Sequence, residues 1–404
     1  MAQFLQHRII MNASPQSEQP MTPVNSSETP LKPHLAYLDG LRALTAIYVV
    51  LFHALIQVEP NGKLLVGNEK AFATIFTFGH QAVDLFIVIS GFCLMLPVIK
   101  NNGQLVGGVG NFFWKRARRI LPPYYMALTL TLLAIYFFVG QKTGTGWDSA
   151  LPVTYKGLLA HIFLIQDIFA DTSEQINGAF WSISVEWRIY FVFPLLLIAW
   201  RTIGPILTAI LAIVASFIIL YFLIHSPIHY DANTTVGIMP QYLALFVLGM
   251  LGATICHSTN ANFSRLRQRI PWLFLMYGSL ALVILLCKMK IFYGSRVPVA
   301  YNDVFAGIWA MSLLVTISIS EKNCFRKFLA WRPISFVGTF AYSIYLIHGP
   351  IQQFLWQYIL RTLHLQLFAV FIVQCTVGTI IIIGISYCFF LIGERPFLKS
   401  KTVK

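Results

Sequence analysis

The sequence predicts an all-α protein, a polytopic bundle of about ten transmembrane helices, and three observations support this fold class. Of the 404 residues, 57% are hydrophobic and only 11% are charged, and the mean hydropathy is +0.69. Long apolar runs recur as far as the C-terminus, and most of them are long enough for a helix to cross a bilayer. The charged residues lie in short stretches between these runs, as topology determinants do.

Eleven apolar runs follow a polar N-terminal stretch. Residues 1–33 are rich in Ser, Pro, Gln, Asn and Thr, and we predict a disordered cytoplasmic tail without the features of a secretory signal. Residues 34–398 are predicted to form one membrane domain, and 399–404 a basic cytoplasmic tail. The apolar runs are 41–58, 81–99, 120–140, 157–169, 181–200, 204–224, 240–256, 272–288, 303–320, 334–357 and 367–391.

The basic residues between the runs decide how many of them span. The cluster Lys115 to Arg119 marks its loop as cytoplasmic, because positive charge accumulates on that side. If the short run 157–169 crossed the membrane, the later basic clusters around Arg265 and Arg332 would lie outside. We therefore predict ten spans with 157–169 re-entrant or interfacial, both termini cytoplasmic, and location in the inner (plasma) membrane. Residues 141–179 would then form the largest extracytoplasmic loop.

Several ionisable side chains are predicted to lie within the membrane. His53 follows Arg42 by eleven residues in the first run, which places it roughly 16 Å further along a helix. Ionisable groups at such depth usually face a cavity, a partner or a substrate path. A layer at comparable depth would contain His53, Asp84, Glu186 and His348, and a basic mouth on the cytoplasmic side would contain Arg42, Arg116 and Arg119. Structural roles remain open, as interhelical hydrogen bonds or as a stop-transfer signal.

Some classes of partner and cofactor are not indicated. The net charge of +14 lies in short loops, so it favours contacts with anionic lipids of the bilayer over binding of nucleic acid. The six cysteines occur singly and without a CxxC spacing, so neither a metal site nor a disulfide framework is expected.

The motifs, taken in order, resemble the acyltransferase 3 family of bacterial integral-membrane O-acyltransferases, from about Tyr37 to Phe397. One departure is Arg188, where a less basic residue is expected. The matching stretches are Leu38 to Arg42 with His53, Asp84 to Phe92, the Arg116/Arg119 pair, Trp181-Ser182 with Glu186, Tyr342 to His348, and Glu394 with Pro396.

The resemblance implies transfer of an acyl group, with acetyl expected, from cytoplasmic acyl-CoA to a hydroxyl of a carbohydrate or glycan of the cell envelope. Acyl-CoA would be a donor substrate, and no permanently bound cofactor is implied. His53 would be the general base, oriented by Asp84 or Glu186, although an acyl-His53 intermediate remains an alternative. CoA would be bound by Arg42, Arg116 and Arg119. The residues expected to shape the site or bind the acceptor are Ser90, Trp181, Tyr342 and His348.

Two other classes of function remain open from the residues alone. A proton-coupled small-molecule transporter would also use intramembrane His, Asp and Glu, although no internal repeat is evident. A sensor or scaffold would use them only as hydrogen bonds between helices. Turnover of acyl-CoA would distinguish an enzyme from both.

Overall fold

The computed structural model describes residues 35–60, 64–226, 236–293 and 299–398. The predicted tails at 1–33 and 399–404 lie outside these ranges. Within the described residues the chain is helical and contains no β-strand. The α-helices are α1 (Ala36–Val58), α2 (Gly67–Ala73), α3 (Gly79–Lys100), α4 (Gly108–Ala134), α5 (Tyr155–Ile162), α6 (Trp181–Thr202), α7 (Pro205–Ile224), α8 (Tyr242–His257), α9 (Ala261–Arg269), α10 (Trp272–Tyr293), α11 (Val299–Ile319), α12 (Cys324–Leu329), α13 (Arg332–Gly338), α14 (Ala341–Leu355), α15 (Leu367–Val373), α16 (Thr379–Phe389) and α17 (Arg395–Leu398).

The described part of the chain provides enough long apolar helices for a multi-pass membrane protein. Eight are long and apolar enough to cross a bilayer, and two bent pairs raise the number to ten if each pair is one span. In the first pair α8 and α9 meet at 98°, and in the second α13 meets Ala341–Leu363 at 72°. Large apolar side chains such as Phe222 on α7 and Phe274 on α10 are exposed, as lipid-facing residues are. The predicted polytopic helical bundle is confirmed.

The run at 157–169 contains only the eight-residue helix α5 and the 3₁₀ turn Gln166–Ile168. Eight residues extend about 12 Å, which is less than half of a bilayer's hydrocarbon core. Thr154 caps α5 by accepting a hydrogen bond from the Gly157 amide at 2.9 Å. The run is attached to α4 by two tyrosines, because Tyr124 Oη donates to the His161 carbonyl at 3.0 Å and Tyr125 Oη donates to the Ile162 carbonyl at 2.7 Å.

The helix α4 begins at Gly108 rather than near residue 120, so the basic cluster lies inside a helix and not in a loop. Phe112 and Phe113 pack against aromatic rings of α6, with ring centroids 5.2 Å apart for Phe112 and Phe193. This aromatic contact stabilises the N-terminal part of α4, which lacks an apolar pattern of its own. Arg116 and Arg119 therefore lie one turn apart on a helix that packs against α6, α14 and the last helical segment.

The helices α3 and α8 pack together at the centre of the bundle through two glycines. A Cβ atom at Gly91 would collide with the backbone oxygen of Phe246, and one at Gly249 with that of Val88. Small residues permit this approach, which in a bilayer replaces the missing hydrophobic driving force between helices. The same packing fixes the positions of Asp84 and Ser90 on α3.

Gly249→Ala should destabilise the protein by about 1–3 kcal/mol, because the added methyl group meets backbone atoms that cannot rotate away. The measurement is the midpoint of thermal unfolding of the purified protein in detergent. Gly384→Ala is the matched control, since a Cβ there has open space. Equal midpoints for the two variants would contradict the close approach of α3 and α8.

Candidate active site

A cavity of about 220 Å³ lies among α1, α3, α4, α6 and α14, and we call it the arginine cavity. Its polar lining combines three guanidinium groups with two carboxylates and several hydroxyl groups. The polar lining residues are Arg42, Ser90, Arg116, Arg119, Ser182, Glu186, Tyr190, Thr339, Tyr342, Tyr345 and Glu394. The structure thus brings Arg42 together with the Arg116/Arg119 pair, as the sequence analysis predicts, although they lie on different helices.

The two carboxylates of the arginine cavity are held by hydroxyl groups. Glu186 Oε1 accepts hydrogen bonds from Ser90 Oγ at 2.6 Å and from Tyr190 Oη at 2.5 Å. Glu394 Oε2 accepts one from Ser343 Oγ at 2.6 Å. Hydrogen bonds to a charged acceptor are short and strong, so both carboxylates are fixed in orientation.

The N–H groups of the arginines in this cavity are less completely hydrogen-bonded than the two carboxylates. Arg42 donates to Asp39 Oδ1 at 2.9 Å and to Cys93 Sγ at 3.1 Å. Among the described residues, the buried Nε of Arg116 has no hydrogen-bond partner. A buried N–H group without an acceptor costs about 1–3 kcal/mol unless a ligand or water accepts from it. The arginine cavity therefore has unused capacity to bind an anion.

A second cavity of about 430 Å³ is lined by His53 and His348, the two histidines predicted to lie within the membrane, and also by His80, and we call it the histidine cavity. Amide, carboxylate and imidazole groups are interspersed with tryptophan and phenylalanine. These lining residues are Phe52, His53, Gln57, His80, Gln81, Trp147, Glu174, Asn177, Trp181, Asn302, Tyr345, His348 and Gln352.

The hydrogen bonds of the two histidines assign their tautomers. His348 Nδ1 lies 2.8 Å from the Tyr345 carbonyl and 3.2 Å from the Ile344 carbonyl, so it carries the proton and leaves Nε2 as an acceptor. His53 Nδ1 lies 2.9 Å from the Val49 carbonyl and 3.3 Å from His348 Nε2, both of which are acceptors. Nδ1 of His53 is therefore protonated, and its Nε2 carries the lone pair that can accept a proton. Because His53 lines the cavity, this base faces open space.

The two cavities share the lining residues Val83 and Tyr345. Tyr345 Oη lies 2.6 Å from Ser182 Oγ, so this ring is fixed between them. Trp181 precedes Ser182 and lines the histidine cavity, while Ser182 lines the arginine cavity. A cavity lined by three arginines and a cavity that contains His53 and His348 therefore meet at one tyrosine.

The expected carboxylate contact to His53 is not formed. Among the described residues, the hydrogen bonds of His53 go to Val49 and His348. Glu186 lies in the arginine cavity, held by Ser90 and Tyr190, rather than in a layer with His53. Asp84 lies 3.9 Å from His80 Nε2. Glu186 and Asp84 each contact side chains other than His53. Their catalytic roles therefore remain predictions.

The remaining expected residues have defined positions. Ser90 and Tyr342 line the arginine cavity, and Tyr342 Oη donates to the Ile120 carbonyl of α4 at 3.2 Å. Trp181 lines the histidine cavity and stacks on His80 with ring centroids 6.2 Å apart. Thus Tyr342 ties two helices together, and Trp181 forms a flat apolar wall.

A buried polar cluster beside the histidine cavity was not predicted from the sequence. His80 Nε2 lies 2.9 Å from Asp303 Oδ1, and Asp84 completes a group whose ligand-type atoms all lie within 4.8 Å of one another. Two signals were available in the sequence. His80 precedes Asp84 by four residues on one helix face, and Asp303, like Asp84, is a carboxylate in the first turns of an apolar run.

Arg188, the departure from the expected motif, has a structural partner in Asp167. It donates to Asp167 Oδ1 at 2.7 Å and also to Oδ2, which ties α6 to the segment after α5. Burial raises the pKa of Asp167, and the Arg188 guanidinium opposes that shift. Glu186 is therefore not the partner of Arg188.

His161 on α5 is a structural histidine. Burial lowers its pKa to about 4, so the imidazole is neutral at pH 7. Its Nδ1 lies 2.8 Å from the Gly157 carbonyl, and it lines neither cavity described above.

The described residues thus form a polytopic membrane protein with eight to ten candidate spans, in which a cavity lined by three arginines adjoins a cavity that contains His53 and His348. The family model described as an acyltransferase domain matches residues 35–390, so the chain belongs to this acyltransferase family. The resemblance predicted from the motifs is thereby confirmed. No solved structure gives a significant match.

Several named proteins are similar to this chain. "Putative peptidoglycan O-acetyltransferase YrhL" of Bacillus subtilis (strain 168) is 24% identical over 78% of this chain and 48% of that protein. "O-acetyltransferase OatA" of Staphylococcus aureus (strain NCTC 8325 / PS 47) is 25% identical over 80% of this chain and 52% of that protein. The chain therefore spans about half the length of these two relatives. "Putative acetyltransferase ORF330" of Acidianus two-tailed virus is 25% identical over 80% of this chain and 84% of that protein.

Proposed function

We propose that this protein is a membrane O-acyltransferase that moves an acetyl group from cytoplasmic acyl-CoA to a hydroxyl of a carbohydrate. The observation that carries the proposal is the adjacency of the two cavities, one lined by three arginines and the other by His53, with Tyr345 between them. The family and the names of the relatives agree with this class of reaction.

The arginine cavity would hold the donor. Guanidinium groups bind phosphate oxygens through paired N–H donors, and Arg116 and Arg119 lie one turn apart on α4. Arg42 would complete a site for the CoA phosphates. The pantetheine arm would then pass Tyr345 and bring the thioester carbonyl to His53.

His53 would act as general base through Nε2. The acceptor hydroxyl oxygen attacks the thioester carbonyl carbon, and its proton passes to His53 Nε2. The carbon–sulfur bond then breaks, the ester forms, and His53 returns the proton to the CoA thiolate. Base catalysis of this kind typically contributes about 10²- to 10⁴-fold to the rate.

His348 would take the orienting role that the sequence analysis gave to Asp84 or Glu186. Its Nε2 accepts from His53 Nδ1, so it fixes the ring of His53 and continues to accept after His53 is protonated. The Val49 carbonyl provides the second acceptor.

His348→Leu should lower kcat by about two- to tenfold, because a single hydrogen bond contributes about 0.5–1.5 kcal/mol. The KM for acetyl-CoA should change less than about twofold, since His348 does not line the arginine cavity. Steady-state kinetics of His348→Leu and of His348→Gln measure both constants. His348→Gln keeps an acceptor oxygen and should recover part of the rate. A rise in KM with constant kcat would instead assign His348 to donor binding.

The histidine cavity would hold the acceptor. Hydroxyl-rich ligands are recognised by amide and carboxylate groups together with flat apolar surfaces, and here Glu174, Asn177 and Gln352 alternate with Trp147 and Trp181. Two relatives carry the names of O-acetyltransferases, one of them of peptidoglycan, which suggests a cell-envelope glycan as acceptor.

The distribution of basic residues suggests how the protein is oriented in the membrane. With both termini cytoplasmic in the plasma membrane, the arginine cavity would open toward the cytoplasm, where acyl-CoA is made available. The histidine cavity, lined in part by Trp147, Glu174 and Asn177 of the 141–179 segment, would lie toward the outer face.

Release of free thiol from acetyl-CoA by the purified protein tests the function, measured with and without a cell-envelope glycan extract. Release that requires the extract is expected, with the acetyl group recovered on the glycan. The contrary result is that neither acetyl-CoA nor longer acyl-CoAs are turned over, and that proteoliposomes accumulate a solute when a proton gradient is applied. The protein would then be a proton-coupled transporter and not an acyltransferase.

A further inference from the structure

The polar cluster formed by His80, Asp84 and Asp303 lies at the N-terminal ends of α3 and α11, beside the histidine cavity. Both carboxylates are fully buried, with 0% exposure. His80 Nε2 lies 2.9 Å from Asp303 Oδ1 and 3.9 Å from Asp84 Oδ1. The three side chains provide one nitrogen and two carboxylate groups, and the general-base mechanism uses none of them.

The three residues of this cluster cannot neutralise one another's charges. Two ionised carboxylates would carry two negative charges, and His80 supplies one positive charge at most. Among the described residues, the neighbours in contact with the cluster include the uncharged side chains of Gln241 and Tyr242 at the start of α8. Unpaired charges in the interior of a membrane protein are costly, so a counter-charge or a proton is required.

Unsatisfied oxygen atoms point to a ligand. Among the described residues, neither carboxylate oxygen of Asp84 meets the geometry of a hydrogen bond, and neither does the hydroxyl of Tyr242, although the two groups are close neighbours. Asp303 is held in place by Gln241, whose amide donates to Oδ2 at 2.8 Å. His80 is covered by the Trp181 ring, which lies nearly parallel to it at 13°. One carboxylate and the imidazole are thus fixed, while the second carboxylate has unused acceptor capacity.

We propose that His80, Asp84 and Asp303 bind one divalent metal ion of the first transition row, such as Zn²⁺ or Mn²⁺. Ligand atoms at about 2.0–2.2 Å from such an ion lie about 3–3.5 Å from each other. The 2.9 Å separation agrees with this, and the 3.9 Å separation requires only a small rotation of Asp84. A neutral imidazole, two carboxylates and a divalent ion sum to zero charge.

This site departs from the expectation that the chain has no metal site, because its ligands come from two helices that are distant in sequence. The metal would fix α3 against α11 at the wall of the histidine cavity, which His80 and Asn302 both line. Metal binding does not depend on acyl transfer, so the two proposals fail separately.

The test is the metal content of the full chain, purified in detergent through a tag that does not use immobilised metal. Elemental analysis should find about one equivalent of zinc or manganese per chain in wild type, and less than about a fifth of that in Asp84→Asn and Asp303→Asn. Glu174→Gln is the matched control, because it removes a carboxylate that also lines the histidine cavity, and it should keep the metal.

A second measurement does not depend on how the variants fold. Wild-type protein treated with a chelator should unfold at a lower temperature, and addition of Zn²⁺ or Mn²⁺ should restore the midpoint. Wild type without bound metal and without this response would overturn the proposal and leave a shared proton as the counter-charge. Equal metal in wild type, Asp84→Asn and Asp303→Asn would show an adventitious ion only.

Discussion

His53→Ala should abolish acyl transfer, with kcat reduced by at least about 10²- to 10⁴-fold, because it removes the only general base in the proposed mechanism. Nε2 of His53 is the unprotonated nitrogen that faces the histidine cavity. Of the other imidazoles that line this cavity among the described residues, His348 already accepts from His53 through Nε2, and His80 Nε2 lies 2.9 Å from Asp303 Oδ1. The measurement is thiol release from acetyl-CoA in the presence of a glycan acceptor. Membrane abundance and the elution profile in detergent should not change, because His53 is only half-buried.

The matched control removes a different histidine. His225→Ala alters a ring at the end of α7 that contacts Tyr221 and lines neither cavity, so its rate should remain close to that of wild type. Transfer by His53→Ala at a rate comparable with His225→Ala would exclude His53 as the base. Thiol release by wild type without any acceptor, and its loss in His53→Ala, would instead favour an acyl-His53 intermediate over general-base catalysis.

The ten apolar runs and the short helix at 157–169 could be predicted because hydrophobicity and length are local properties of the sequence. The basic cluster shows the limit of this reasoning. Its residues look like a loop by composition, but Phe112 and Phe113 find aromatic partners on α6, and the helix extends through Arg116 and Arg119. Such tertiary contacts are not visible in a hydropathy pattern.

For the candidate site, the sequence indicated residues that line the two cavities but not which of these side chains are in contact. Depth in the membrane follows from topology, but which side chains meet depends on how helices turn about their axes. Glu186 was expected in a layer with His53, yet its helix turns it toward Ser90 and Tyr190 in the arginine cavity. The contact between His53 and His348 joins residues 295 positions apart, and that between His80 and Asp303 joins residues 223 apart. Neither pairing follows from spacing.

Arg116→Gln combined with Arg119→Gln should raise the KM for acetyl-CoA by about 100-fold or more. Each hydrogen bond to a charged group contributes about 1.5–3 kcal/mol, and two guanidinium groups that face the phosphates would be lost together. Because neither arginine lines the histidine cavity, kcat at saturating donor should change far less. Lys115→Gln is the matched control, since it neutralises an exposed residue of the same cluster that does not line the arginine cavity.

A second donor separates phosphate binding from a general loss of structure. S-acetylpantetheine carries the thioester and the arm but lacks the phosphates of CoA, so wild type should use it with a much higher KM than acetyl-CoA. In the double variant the two donors should become nearly equivalent, because the groups that distinguish them have been removed. If the double variant instead loses activity toward both donors in parallel while Lys115→Gln does not, the arginines support the shape of the cavity. If KM for acetyl-CoA does not change, the basic cluster is a topology signal and the donor enters elsewhere.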